Sequence, residues 1–188
     1  QVGPLDMRMD RRQKSTASQV VNETEERDLA SILVRNADER YARRIARAIT
    51  ALRPIENTEV LADVVRAAIP AAARRSGGHP AKRTFQAIRI EVNRELDGLP
   101  AALDNALNRL VGGGRGAVLS YHSGEDRLVK ERFDFAATGG CTCLALLPCV
   151  CGAESLATAR RRSIRPSVGE LELNPRARSA RLRVVERR

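Results

Sequence analysis

The sequence predicts a helix-rich α/β protein, and three observations carry that reading. Apolar residues recur at helical spacing over most of the chain. One short apolar run, Ala117 to Tyr121, follows a glycine turn and precedes another helical stretch, the order expected of a strand buried in an α/β sheet. Near the end, Ala180, Leu182 and Val184 alternate with Arg181 and Arg183, the clearest two-residue period in the chain. With 3 Phe, 2 Tyr and no Trp, the core must be built from Ala, Leu, Val and Ile, which suits helices.

Taken in order, Gln1 to Gln13 is short, charged and turn-prone. Leu5, Met7 and Met9 alternate there with Asp6, Arg8 and Asp10, as a brief extended piece or an ordered loop would. Ser15 to Pro70 reads as all-helical. Ser15 or Thr16 caps a helix over Ala17 to Val21, and Asn22 with Glu25 has capping-box spacing ahead of Leu29, Ile32 and Leu33. Asp38 is placed to cap a helix carrying Tyr41, Ile45, Ile49 and Leu52, stopped by Arg53-Pro54. Asn57 or Thr58 caps the next, which Pro70 ends. These short helices with brief joints predict a small bundle. Ala71 to Gly78 is a linker of small and basic residues.

Gly77 to Leu96, GGHPAKRTFQAIRIEVNREL, organises the middle of the chain. Its glycines form a turn, Pro80 suits a first helical position, and Phe85, Ile88, Val92 and Leu96 make an apolar stripe with Lys82, Arg83 and Arg89 mainly off it. A further helix spans Leu99 to Leu110 and breaks at Gly112-Gly113-Gly114. After the Ala117 strand, helical spacing returns from Asp126 to Phe135. Ser167 caps a turn of helix over Glu170 to Leu173.

The charge balance is basic, 33 Lys plus Arg against 23 Asp plus Glu. Arg160 to Arg188 alone holds ten Arg and three Glu, a net +7 of the formal +10. Such a surplus favours a polyanion, nucleic acid before membrane, though a basic tail also serves as a plain solvated surface. No run of about 18 apolar residues is present, so no transmembrane helix is expected. No signal peptide is visible, and a cytoplasmic setting is expected.

Reactive groups of an α/β sheet gather beyond the carboxyl ends of its strands. Ser120, Tyr121, His122, Ser123, Glu125 and Asp126 lie there. His122 alternatively anchors the turn, and Glu125-Asp126 alternatively complement a helix dipole. The glycine run Gly112 to Gly116 sits between a helix and a strand, the reverse of a nucleotide loop. Cys141, Cys143, Cys149 and Cys151 put four thiols within eleven residues. They are either zinc ligands, at a C-x-C spacing tighter than the usual C-x-x-C, or reduced thiols in a loop. In a cytoplasmic protein, disulfides are not expected.

The wording of four stretches goes further than their pattern. GGHPAKRTFQAIRIEVNREL, together with GPLDMRMD at Gly3 to Asp10, SYHSGEDRLVK at Ser120 to Lys130 and NPRARSARLR at Asn174 to Arg183, resembles the MraW/RsmH family. These are S-adenosylmethionine-dependent methyltransferases of small-subunit ribosomal RNA. The four lie in the family's order across the chain. The family usually carries Leu where this chain has Gly124. Actinobacterial-type members resemble the cysteine phrase, with Pro where this chain has Leu144 to Leu146.

The resemblance implies methyl transfer from S-adenosylmethionine to the exocyclic amine of a cytidine in 16S ribosomal RNA. It implies the later part of a Rossmann-like methyltransferase sheet with an inserted all-α recognition domain. The expected division is a piece of methyltransferase core at 1–13, a helical RNA-recognition domain at 14–88, and the rest of the core at 89–188. The family's cofactor fingerprint would lie before Gln1, so the chain resembles the carboxyl-terminal portion. We expect a fragment or processed product whose partners are the missing amino-terminal half or a homodimer partner, and 16S ribosomal RNA or the small subunit. Asp6, Asp10, His122 and Asp126 are the candidate catalytic groups. Tyr121 is the candidate stacking surface for a base, and Arg43, Arg44, Arg47, Lys82, Arg83 and the tail arginines are the candidate phosphate contacts. The alternatives are a non-catalytic RNA- or ribosome-binding module, and a helical interaction protein whose basic faces are only solvated.

Overall fold

The computed structural model describes residues 2–74, 79–143, 150–160 and 162–188. Two compact units emerge, Gln1–Glu95 and Leu96–Arg188. The first holds six helices among its described residues: α1 (Ala17–Glu23), α2 (Glu26–Ala37), α3 (Ala42–Ala51), α4 (Thr58–Ala68), α5 (Ala71–Arg74) and α6 (Lys82–Asn93). α2 lies between α3 and α6, and α4 packs on α3. Leu29, Leu33, Ile45, Ile49, Leu61, Val65 and Ile88 fill the space between them.

Thr16 closes a capping box with Gln19 at the start of α1, and Asn57 Oδ1 accepts the Glu59 and Val60 N–H groups at the start of α4. Two capping expectations are overturned. Asn22 lies inside α1, where its amide brackets Ile55, donating to its carbonyl at 3.0 Å and accepting its N–H at 2.8 Å. Asp38 is the left-handed residue that ends α2, with φ 48°. The stripe on α6 is borne out at Ile88 and Val92, but Arg94 turns left-handed and ends the helix before Leu96. Pro80 precedes the first helical turn.

The division between units falls beyond Ile88 because α6 runs unbroken to Asn93 and packs against α2. The amino-terminal piece also belongs to this unit. Gly3 and Thr58 exchange two hydrogen bonds, Pro4 bridges Asn57, and Leu5 is buried in the helical core.

The second unit contains α7 (Leu99–Arg109), β1 (Arg115–Ser120), α8 (Ser123–Thr138), β2 (Ala157–Ala159), α9 (Val168–Leu173), a 3-10 turn (Pro175–Ser179) and β3 (Arg181–Arg187). β3 is central and pairs antiparallel with both neighbours, Leu182 opposite Leu119 and Val185 opposite Ala159. α8 packs across the three strands and against α7. Val129, Phe133, Ala136, Leu103, Leu107, Ala157 and Val185 form the core. The α/β class holds at this level, and Ser167 caps α9 as expected. The strand at Ala117 is not buried. It is an edge strand of alternating exposure, with Leu119 51% exposed. Among the described residues no helix is long and apolar enough to cross a membrane.

Candidate active site

Asp6 and Asp10 lie in the loop at Gly3–Asp10, and the loop is built around them. Asp6 takes both oxygens to Arg8, 2.6 Å to Nε and 2.9 Å to Nη2. Arg8 Nη1 also donates to the carbonyls of Arg11 and Gln13. The hydrogen bonds from Arg8 hold the Asp6 carboxyl below the usual carboxylate range. Those from Arg12 do the same for Asp10. Between them Met7 sits at φ 58°, a conformation that costs a side-chain-bearing residue about 1–2 kcal/mol. It is held there from both sides. Asn93 on α6 donates to the Met7 carbonyl at 2.8 Å and accepts the Met9 N–H at 2.7 Å. The Asp6 and Leu5 carbonyls receive the Ala17 and Ser18 N–H groups of α1. Asn93 and Arg8 are the positioning residues that sequence reasoning missed. Asn93 stood in the signature stretch, but nothing in its spacing pointed to Met7.

Tyr121, His122 and Asp126 gather at the carboxyl end of β1 and the first turn of α8. Tyr121 is 54% exposed. His122 is the N-cap of α8: its Nδ1 accepts the Glu125 N–H at 3.3 Å, and Glu125 Oε2 accepts the N–H groups of Tyr121 and His122. An accepting Nδ1 places the proton of a neutral imidazole on Nε2. That Nε2 is buried, lies 3.4 Å from Glu125 Oε1 and makes no hydrogen bond. Gly124 lies against the ring, since a Cβ there would stand 3.2 Å from His122 Nδ1. Asp126 faces inward to β3, where Arg183 binds both its oxygens at 2.7 and 3.0 Å. Arg183 is 8% exposed. In the sequence Arg183 appears as one residue of an alternating strand and as one of the tail arginines expected on phosphate, and its burial against Asp126 takes it out of that set.

Arg43, Arg44 and Arg47 lie on α3, and Lys82 and Arg83 on α6. Arg43 and Arg47 share a groove of about 850 Å³ with Arg27, Arg35, Glu25 and Glu26. Four arginines against two glutamates leave it basic. Arg44, Lys82 and Arg83 do not line it. Arg83 instead donates to the Asp38 carbonyl at the joint of α2 and α3.

The family's cofactor would need a strand that opens through a glycine-rich loop onto a helix. Among the described residues the glycine run joins α7 to β1, and the β1–α8 turn at Tyr121-His122 contains no glycine. Neither described turn therefore has the form that would hold S-adenosylmethionine. Cys141, Cys143 and Cys151 bring their sulfurs within 4.8 Å of one another, while Cys149 lies outside the described residues.

The sequence model of the MraW methylase family matches residues 1–188. The chain is 52% identical over 187 residues to the ribosomal RNA small subunit methyltransferase H of Symbiobacterium thermophilum, covering 97% of this chain and 58% of that protein. It is 50% identical to the protein of the same name from Heliobacterium modesticaldum and 49% to that from a Paenibacillus species, covering 98% of this chain and 60% of each relative. The chain thus spans less than two thirds of the length of these relatives. With the family model matching its whole length and relatives about half identical to it throughout, the chain belongs to the MraW methylase family.

Proposed function

We propose that this chain is the RNA-recognition unit and part of the catalytic wall of an rRNA methyltransferase. The reaction is transfer of a methyl group from S-adenosylmethionine to the exocyclic amine of a cytidine in 16S ribosomal RNA. The cofactor is held mainly by residues outside this chain, in the remainder of a Rossmann-like sheet. The observation that carries the reading is the family match over 1–188.

The amine lone pair of cytosine is delocalised into the ring and attacks poorly. An enzyme gains by fixing the amine in place and accepting a hydrogen bond from it. Asp6 fits the acceptor role. Its two Arg8 contacts fix the carboxylate and keep it ionised, and each oxygen has a second lone pair. Asp10 is the second carboxylate of the loop. His122 differs from both: its Nδ1 caps α8 and its Nε2 is buried, which suits it to holding the turn that presents Tyr121. Tyr121 offers an exposed ring for a base taken out of its stack. Asp126 acts through Arg183, holding the start of α8 and so the His122 turn. Arg43 and Arg47 contact phosphates along the α2–α3 groove, with Arg44, Lys82 and Arg83 on flanking surfaces.

The test is binding of the chain to small-subunit ribosomal RNA across a salt series. The log of the affinity is expected to fall steeply with log salt, and Arg43→Ala with Arg47→Ala to lower the slope by about 1–2. Affinity indifferent to salt, or unchanged in the double variant, contradicts the placement. The lack of a cofactor cradle among the described residues favours one alternative, a non-catalytic ribosome-binding module. In an enzyme completed with the remaining part of such a relative, Asp6→Ala is expected to lower activity; full activity would remove Asp6 from the candidate catalytic groups, and no activity in the completed enzyme before substitution would favour that module.

A further inference from the structure

We propose that Cys141, Cys143 and Cys151 form a structural thiolate site for a zinc-class metal ion. The site is independent of the methyl-transfer reading and stands or falls apart from it. Three observations converge. The three sulfurs all lie within 4.8 Å of one another, although Cys141 and Cys151 are ten positions apart in the sequence. Thiolates on one tetrahedral zinc stand about 3.8 Å apart, the spacing set by a Zn–S bond of about 2.3 Å, so only small side-chain adjustments separate the cluster from a coordinating one. The Cys143 N–H donates to Cys141 Sγ at 3.4 Å, so the chain folds back across the C-x-C step and brings both sulfurs to one side. Backbone donors of this kind orient and support metal-bound sulfur.

The third observation is how the loop's two ends are brought together. Gly139 and Gly140 precede Cys141 at φ 62° and 75°, and Gly152 follows Cys151 at φ 69°, all left-handed positions that glycine takes without strain. Gly139 packs so tightly on the Glu154 backbone that a Cβ would collide with it. The Leu156 N–H donates to the Ala136 carbonyl at 2.9 Å, tying the approach to β2 to the end of α8. The backbone thus converges on the sulfurs before any ion is added.

Soft thiolates select zinc over calcium or magnesium. The cluster lies beyond the carboxyl end of α8, whereas His122 caps its amino end. With about 1.5 Å rise per residue the two are separated by roughly the length of the helix, about 24 Å, so the ion would staple α8 to β2 and take no part at the His122 turn. Binding releases the thiol protons and leaves the sulfur oxidation state unchanged.

The test is metal analysis of the full chain, purified with reductant and without chelator. About one zinc per chain is expected, falling to near zero in Cys141→Ser/Cys143→Ser. Because that variant could misfold, the wild-type chain is also loaded with cobalt(II). An intense sulfur-to-cobalt charge-transfer band with tetrahedral d–d absorption supports the site. Zinc should also slow reaction of the thiols with a disulfide reagent by roughly tenfold or more. Zinc near zero with no cobalt uptake overturns the site, as does metal content unchanged in the double variant. An intact mass lighter by two hydrogens per disulfide in the purified, metal-free chain also overturns it.

Discussion

The helical unit and the sheet unit are held together in different ways. Among the described residues, the first buries a continuous apolar core that reaches from Leu5 through all its long helices to Val92. The second rests on a smaller cluster centred on Val129 and Phe133, and leaves Leu119, Tyr121, Phe135, Leu156 and Val168 exposed. The helical unit therefore owes its form to local periodicity and burial. Both units add polar links between distant segments, Asp126 with Arg183 and Asp104 with Arg132 in the sheet unit, Asn22 with Ile55 and Asn93 with Met7 in the helical unit, but in the sheet unit they join elements that share a smaller apolar core. Candidate chemistry in both units sits on such polar links.

The largest effect should come from the helical core. Leu33 is fully buried, so Leu33→Ala is expected to destabilise that unit by about 4 kcal/mol. Denaturant unfolding with hydrogen exchange should show the loss in α2, α3 and α6, with α8 and the strands unaffected. Equal loss in both units would break the comparison. Next comes the sheet unit's polar link. Asp126→Ala leaves the nearly buried Arg183 without its carboxylate and should cost about 3 kcal/mol, the lower end for a broken buried pair because Asp126 keeps 22% of its side chain exposed. Adding Arg183→Met should recover part of that loss in the same unfolding measurement. A double variant no better than the single would show that the pair carries little beyond packing.

How much of this was legible in the sequence follows the same divide. Thr16, Asn57 and Ser167 announced their helices because a cap is a contact over three residues. Asn22 and Asp38 misled because their spacing fits a cap while their side chain or backbone serves the neighbouring segment. β2 is three residues long and gives no periodic signal. The edge position of β1 depends on strand order, which no local pattern encodes. The candidate turn stood out by residue type, and the candidate loop through the resemblance of GPLDMRMD to a family phrase. Their supports did not. Asn93 reaches Met7 from 86 positions away, and Arg183 reaches Asp126 from 57.

Smaller effects sharpen the picture at the loop. Asn93→Ala removes the two bonds that bracket left-handed Met7 and should cost about 1–2 kcal/mol. Amide exchange at Met9 should rise without change in the sheet unit. Exchange that stays slow would mean that Arg8 and α1 suffice to hold the loop. The smallest effect is the pH response of the Asp6–Arg8 pair. Its folded-state pKa is lowered, so its contribution is present above the ordinary carboxylate pKa and is lost as pH falls through the depressed value. A carboxyl NMR titration should place the Asp6 midpoint below that of an Arg8→Met variant. Coincident midpoints would dismiss the pairing.

The most direct test of the division of labour is a calorimetric titration with S-adenosylmethionine, using a preparation first seen to bind small-subunit ribosomal RNA. The account predicts RNA-competent protein that gives no heat of binding with the cofactor. Tight cofactor binding by the same sample would contradict it, placing the cofactor site within this chain and making the chain a candidate catalyst by itself.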